Sequence, residues 1–171
     1  VLALQNKAVD AAMTTEPSAT RAIQSGVAVR IMGDDVIYPN HQLAVVLYSG
    51  SFIKKNPDAA KRFMRAYLRA VRDYNDALKD GRIAGANADE VIAVLTEYTN
   101  IKDAALYRTI SPQGCNPDGM VHEASLRNDL QFYKDQGLIN GSVTVDQALD
   151  NSFVEAALKD LGPYKAKTAK K

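Results

Sequence analysis

The chain contains 171 residues, of which 46% are hydrophobic and 24% charged, and this composition is typical of a globular protein and excludes general disorder. Its formal net charge of +1 gives no basic field that would attract a nucleic-acid backbone. No apolar run approaches the roughly 18 to 20 residues that a membrane-spanning helix requires.

The beginning of the chain predicts a helix end, a strand and a second helix. Residues 1–6 have the pattern of the last turns of an amphipathic helix with no cap before them, so we expect the chain to start inside an element. Residues 8–13 form a short apolar run that is typical of a buried parallel strand. Pro17 suits the first position of a helix and Gly26 the C′ position, which predicts a helix over 17–25.

Two more apolar runs predict strands. Residues 27–32 are followed by the turn residues Gly33, Asp34 and Asp35. Residues 43–48 are apolar enough to be buried on both faces. Three strands with an intervening helix indicate an α/β fold.

From Asn56 onward the pattern is helical. Asn56 and Pro57 are good starting residues for a long helix that Gly81 ends. Its predicted apolar stripe consists of Phe63, Tyr67, Val71, Tyr74 and Leu78. Asn87 and Glu90 resemble a capping box at the start of a second helix.

The remaining chain predicts three helices and one loop. The helices cover 101–110, 120–136 and 145–161, and Gly137 ends the second of them. Residues 111–119 contain two prolines and two glycines, which predicts a loop.

The sequence offers few arrangements of side chains that could act in catalysis or bind a metal. His41 and His122 are the only histidines, and they do not have the spacing of a metal site. Cys115 is a lone cysteine without a recognisable base, so a small residue in a loop is the simpler interpretation. Glycine-rich phosphate loops and the Gly-x-Ser-x-Gly motif of hydrolases are absent from the sequence. We therefore expect no catalytic residues, no metal and no cofactor.

Thr14, Thr15 and Glu16 lie at the predicted junction between a strand and a helix. Hydroxyls, a carboxylate and unpaired helical N–H groups at such a junction can contact a small solute. The same groups can instead cap the helix that follows them. From the residues alone, both interpretations stay open.

The order of segments resembles the second half of the periplasmic binding proteins of nitrate, sulfonate and taurine importers, with which proteins for a thiamine pyrimidine precursor are grouped. The resemblance rests on Val9-Asp10-Ala11-Ala12, Glu16-Pro17, Gly26, Tyr48-Ser49, Asn56-Pro57-Asp58, Pro117-Asp118-Gly119, Phe132-Tyr133 and Leu161-Gly162-Pro163-Tyr164. It covers nearly the whole chain in order. Relatives often have an aromatic residue where this chain has Thr15.

The resemblance implies a type II periplasmic-binding fold with two α/β lobes, of which this chain supplies the C-terminal portion. We expect residues 1–33 to belong to lobe II and residues 34–42 to form the crossover. Residues 43–164 would complete lobe I with a helical extension, and residues 165–171 would form a disordered basic tail. The N-terminal lobe needed for a complete cleft is expected to be missing.

The resemblance also implies site residues. Thr14, Thr15 and Glu16 would face the ligand, as would Asn40, His41 and Gln42 of the crossover loop. Asp10 is a structural acceptor in this interpretation, because a buried carboxylate in a strand must be paired.

The implied function is that of the substrate-binding component of an ABC importer, without enzymatic activity. Such a periplasmic protein captures a small polar or aromatic organic solute and delivers it to permease subunits in the membrane. Two alternatives have similar folds: an enzyme that makes the thiamine pyrimidine, and the effector-sensing domain of a transcription regulator. The first needs a reactive His or Lys and a metal, and the second needs a helix-turn-helix segment upstream.

Overall fold

The structure, a computed structural model, describes residues 1–167 and is 51% helical. The helices are α1 (Leu2–Gln5), α2 (Ser18–Gln24), α3 (Asp34–Ile37), α4 (Gly50–Lys55), α5 (Pro57–Asp76), α6 (Ala88–Tyr98), α7 (Ala104–Thr109), α8 (Glu123–Asp135), α9 (Val145–Ala148) and α10 (Ser152–Leu161). Within the described range the strands are β1 (Leu78–Lys79) and β2 (Arg82–Ile83). The predicted helix-rich character is confirmed, and the helices and short strands are consistent with an α/β protein. The two-lobe architecture stays a prediction.

The described residues form two compact units. The first comprises residues 1–33 and 73–115 together with Ala166 and Lys167, and the second comprises 34–72 and 116–165. Each has its own hydrophobic core, which buries apolar area away from water. The core of the first unit contains Ala77, Ile83, Ala88, Ile92, Leu106, Tyr107 and Ile110. The core of the second contains Ala60, Met64, Leu68, Phe153, Val154 and Ala157.

The three predicted strands are the largest correction. Residues 8–13, 27–32 and 43–48 are not strands in the structure. A parallel strand exists only through hydrogen bonds to a neighbouring strand, and among residues 1–167 the only strand pairing is that of β1 with β2. The apolar side chains of these segments are consequently exposed, as Met13 (88%), Val29 (84%) and Leu47 (85%) illustrate.

Helix α5 forms as predicted at Pro57, and Val71 and Tyr74 of the predicted stripe are buried or half-buried, but the N-terminal part of the helix buries a different stripe. Ala60, Met64, Leu68 and Val71 face the core, whereas Phe63 of the predicted stripe is 51% exposed. Both stripes have three- and four-residue spacing and meet at Val71, so periodicity alone does not distinguish them. Packing against Phe153, Val154 and Ala157 of α10 selects the stripe of smaller side chains.

Helix α5 ends before Gly81, where the sequence predicted its end, because the residues around Gly81 favour a turn. The helix ends at Asp76, and β1 and β2 form an antiparallel hairpin in which Leu78 pairs with Ile83. Asp80 and Gly81 connect the strands with positive φ angles of 50° and 70°. An Asp-Gly pair is strongly favoured in such two-residue turns, so Gly81 closes a hairpin and does not end a helix.

Several C-terminal predictions are confirmed and two are wrong. Helix α8 and its termination by Gly137 are confirmed, as is the irregular segment 111–119. The predicted 145–161 helix is interrupted between α9 and α10. No capping box forms at Asn87: its side-chain Nδ2 donates to the carbonyl of Asp73 at 2.8 Å, and its buried Oδ1 accepts no hydrogen bond from the described residues.

The predicted basic tail is described only at its beginning. Lys167 Nζ lies 2.9 Å from Asp73 Oδ1 and 3.2 Å from Asp76 Oδ2. Residues 168–171 of that predicted tail lie outside the described residues.

Candidate functional site

Glu16, one of the residues predicted to contact solute, is held by two hydrogen bonds. One carboxylate oxygen, Oε2, accepts a hydrogen bond from the backbone N–H of Thr20 in the first turn of α2 at 3.0 Å. The other, Oε1, accepts from the backbone N–H of Ser111 at 3.3 Å. The side chain is only 14% exposed. Both oxygens therefore take part in the internal structure of the first unit.

Ser111 links Glu16 to two arginines of the same unit. Its hydroxyl oxygen accepts from Arg30 Nη1 at 2.7 Å and from Arg82 Nη1 at 3.1 Å. Arg30 Nη1 also lies 4.0 Å from Glu16 Oε1. The positive guanidinium of Arg30 compensates part of the negative charge of this largely buried carboxylate.

Thr14 and Thr15 differ from Glu16 because both are exposed. Thr15 contributes its carbonyl oxygen, which accepts from the N–H of Ala19 at 3.2 Å. Within the described part of the chain, neither hydroxyl has a hydrogen-bond partner. The capping interpretation is therefore realised by Glu16, and solute contact by Thr14 to Glu16 stays a prediction.

Asp10 requires a correction. It is exposed and does not lie in a strand, so the predicted role as a buried acceptor at the end of a sheet is not found. The role depended on the strand over 8–13, which lacks a pairing partner among the described residues.

The crossover residues lie in the second unit. The backbone N–H of Gln42 donates to the buried Ser125 hydroxyl at 2.9 Å. The side-chain Oε1 of Gln42 accepts from the backbone N–H of His122 at 2.9 Å. Gln42 thereby holds the loop against the start of α8. Asn40 is exposed and has a φ of 63°, a conformation that asparagine tolerates better than most residues.

His41 lies between two carboxylates. Its Nδ1 is 2.8 Å from Asp34 Oδ2, and its Nε2 is 3.6 Å from Asp129 Oδ2. The imidazole stacks on the ring of Tyr38 with a centroid separation of 4.6 Å and an interplanar angle of 20°. These contacts hold the ring in one orientation although its side chain is 25% exposed.

A surface pocket of about 520 Å³ opens beside His41 within the second unit. Its wall consists of Tyr38, His41, Asn128, Asp129, Gln131, Phe132, Tyr133 and Asp135. Helix α8 contributes most of this wall because residues three and four apart share one helical face. Of the predicted site residues, the structure places His41 in a pocket.

The other pocket residues were not predicted. Tyr133 is 45% exposed, and its neighbour Phe132 is 58% exposed. The available signal was the spacing of Asp129, Phe132 and Asp135 in a helical pattern. That signal identifies a shared face but not its orientation.

The remaining reactive groups of residues 1–167 include the free cysteine Cys115. Burial raises the pKa of the Cys115 thiol, which disfavours the nucleophilic thiolate. Among residues 1–167, no group of three or more His, Cys, Asp or Glu side chains is arranged to hold a metal ion. None of the helices in that range is long and apolar enough to cross a bilayer.

Comparison with known proteins identifies the family. The sequence model of the NMT1-like family matches residues 1–96, which is more than half of the chain. The chain belongs to the NMT1-like family. This confirms the predicted resemblance to the periplasmic binding proteins for nitrate, sulfonate, taurine and the thiamine pyrimidine precursor. No curated protein and no solved structure matches the chain significantly.

Membership of the NMT1-like family supports a function of the solute-binding type. Proteins of this family generally bind small molecules and are typically extracytoplasmic. The match includes the segment with Glu16 and the loop with His41, because both precede residue 96.

Proposed function

We propose that this chain is part of the substrate-binding component of an ABC importer, which captures a small polar or aromatic organic solute in the periplasm and delivers it to membrane permease subunits. The observation that carries the proposal is the match of residues 1–96 to the NMT1-like family. The lack of a Gly-x-Ser-x-Gly motif in the sequence and the raised pKa of the Cys115 thiol support a binding role over a catalytic one.

The proposal includes further strands, supplied by a lobe that this sequence does not contain. Its support is the exposure of apolar side chains in the segments around Val29, Ile31 and Leu47, which are 84%, 78% and 85% exposed. Side chains of this type are normally buried in the sheet of an α/β protein. Pairing with added strands would cover them and satisfy the backbone groups of these segments.

The requirement for the missing N-terminal lobe is tested by calorimetry of the 171-residue chain. We expect an unfolding enthalpy per residue below the roughly 0.7 kcal/mol of complete globular domains near 60 °C, because the exposed apolar segments add no buried area. An enthalpy per residue equal to that of a complete domain would contradict this part of the proposal.

Solute binding is tested on the complete protein by thermal shift, because a ligand that binds the native state raises its stability. The screen contains nitrate, sulfonates, aminosulfonates, pyrimidines and aromatic acids, and each hit is confirmed by calorimetry. We expect saturable binding of at least one class. If neither these classes nor an organic cation binds the folded protein, the solute-binding proposal is wrong.

The predicted contacts of Thr14, Thr15 and Glu16 are then examined with the best ligand. Thr14→Ala and Thr15→Ala are the cleanest variants, because these exposed hydroxyls have no partner in the described structure. Glu16→Ala is interpreted together with its unfolding curve, since Glu16 also caps α2. Unchanged dissociation constants in all three variants would remove this segment from the site.

A further inference from the structure

We infer that the pocket beside His41 binds a small organic cation, such as an ammonium group on an aliphatic or aromatic solute. This inference rests on the proposed solute-binding function and names a ligand class for it. The pocket of about 520 Å³ lies within the roughly 300 to 1,000 Å³ of small-molecule sites. It is formed entirely by residues of the second unit.

The charge of the pocket favours a cation. Asp129 and Asp135 contribute carboxylates to its wall, and neither lysine nor arginine lines it. Arg127 borders the neighbouring surface, but its guanidinium is paired with Asp146 and Glu123. That guanidinium, chiefly through its hydrogen bond, lowers the pKa of the Asp146 carboxyl.

The hydrogen-bonding groups also favour a cation over an anion. Asn128 donates its side-chain N–H to the hydroxyl of Tyr38 at 2.9 Å, and Gln131 donates to Asp135 Oδ1 at 2.7 Å. Both amide groups that line the pocket therefore use a donor internally. An anion would meet the carboxylates of Asp129 and Asp135, whereas an ammonium would meet acceptor oxygens on both.

The aromatic rings supply a second attraction for positive charge. Phe132 and Tyr133 line the pocket with half-exposed rings, whose centroids lie 5.7 Å apart at an angle of 70°. Tyr38 adds a third ring, which His41 supports by stacking. Ring faces attract cations within about 6 Å, and sites for quaternary ammonium groups combine several such rings.

A metal ion is the less suitable cation for this pocket. Metal sites need three or more ligating side chains in a compact arrangement, and the described residues contain no such group. His41 Nδ1 is engaged with Asp34 at 2.8 Å. Rings and separated carboxylates instead suit a larger, weakly hydrated organic cation.

The test uses the complete protein and three probes in isothermal titration calorimetry. Choline is a quaternary ammonium cation, and 3,3-dimethylbutan-1-ol is its uncharged isostere. Benzenesulfonate is an aromatic anion. We expect choline to bind at least about fivefold more tightly than the alcohol, which corresponds to one favourable cation–π contact. Equal binding of choline and the alcohol, or tighter binding of benzenesulfonate, would overturn the inference.

Substitutions of pocket residues test whether choline binds in this pocket. Asp129→Asn and Asp135→Asn remove charge, and Phe132→Leu removes a ring while keeping an apolar side chain. We expect each to weaken choline at least about threefold without changing the weak binding of the alcohol. Glu155→Gln is the matched control, because it neutralises an exposed carboxylate of the same unit outside the pocket. Choline affinity that is unchanged in all three pocket variants would contradict the pocket assignment.

The experiments distinguish a wrong ligand class from a wrong binding function. If choline does not bind but a solute from the screen of the complete protein does, the ligand class is wrong and the binding function stands. If every probe and every screened solute fails to bind, both proposals are wrong.

Discussion

The backbone N–H of Ser111 donates to Glu16 Oε1 at 3.3 Å across 95 residues of sequence. The same carboxylate accepts from Thr20 at 3.0 Å, so one side chain caps α2 and anchors the loop that follows α7. A residue predicted for ligand contact thus has a structural role in the first unit. Its substitution is expected to affect stability whether or not it contacts solute.

Glu16→Ala should lower the free energy of unfolding by about 1 to 2 kcal/mol, because it removes a helix cap and leaves the N–H of Ser111 without its acceptor. Urea denaturation followed by circular dichroism measures the change. Thr15→Ala is the control, since its exposed hydroxyl has no partner among the described residues, and it should stay within about 0.5 kcal/mol. Equal stability of Glu16→Ala and the parent chain would contradict the capping role.

Gly119→Ala should destabilise the second unit by about 1 to 3 kcal/mol. Gly119 has a φ of 71°, and an added Cβ would overlap Leu68 Cδ2, whose residue is fully buried. Gly114→Ala is the control, because its Cβ would meet no atom within 4 Å and its φ is not in the left-handed region. Chemical denaturation of both variants provides the comparison.

A double-mutant cycle separates the two causes of the Gly119 effect. Leu68→Ala should itself cost about 2 to 5 kcal/mol, because it leaves a cavity in the core. In that background the overlap is relieved, so Gly119→Ala should cost less than in the parent chain. An identical cost in both backgrounds would assign the whole effect to the backbone angle.

Tyr74→Phe should make the protein less sensitive to alkali. Burial, with a further contribution from Cys115, raises the pKa of Tyr74 from 10.0 to about 12. The unfolded phenol ionises first as pH rises, so its stabilising contribution is complete below about pH 10 and is lost towards pH 12. Urea denaturation between pH 8 and 11.5 should therefore show a shallower decline in Tyr74→Phe. Tyr98→Phe, at a 76% exposed position, should leave the slope unchanged.

Cys115 should react slowly with iodoacetamide at pH 8 in the folded chain. Burial raises the pKa of its thiol, and only the thiolate is strongly nucleophilic. The alkylation rate, measured by mass spectrometry, should increase in guanidinium, where the side chain is solvated. A folded-state rate equal to the denatured-state rate would show that the thiol is accessible and ordinary.

Local signals predicted many helix boundaries correctly. Gly26 and Gly137 adopt φ angles of 71° and 68° just after α2 and α8, as their positions beyond the predicted helices indicated. The Asp80-Gly81 pair was an equally local signal for a hairpin, but a long helical stripe running past it favoured the wrong element. Propensity decides such short segments only where packing does not oppose it.

The long-range contacts of the predicted site residues could not be predicted from local sequence patterns. Glu16 was identified as a residue of chemical interest, yet its contact with Ser111 depends on a long-range approach that no local pattern contains. His41 was likewise identified, whereas its partner Asp129 and the ring of Phe132 lie on a helix far along the chain. Spacing along α8 groups these residues on a face but does not indicate which loop that face meets.

The sequence by itself determined the family, the helix-rich character and the starts and ends of several helices, because these depend on residue order, capping and turn chemistry over a few positions. Tertiary structure decided which stripe of α5 is buried, whether the apolar runs around Val29 and Leu47 form strands, and which groups surround His41. The physical reason is that burial and strand pairing require a partner surface from a distant part of the chain. Without such a partner, an apolar run has a propensity for a strand but no strand to pair with.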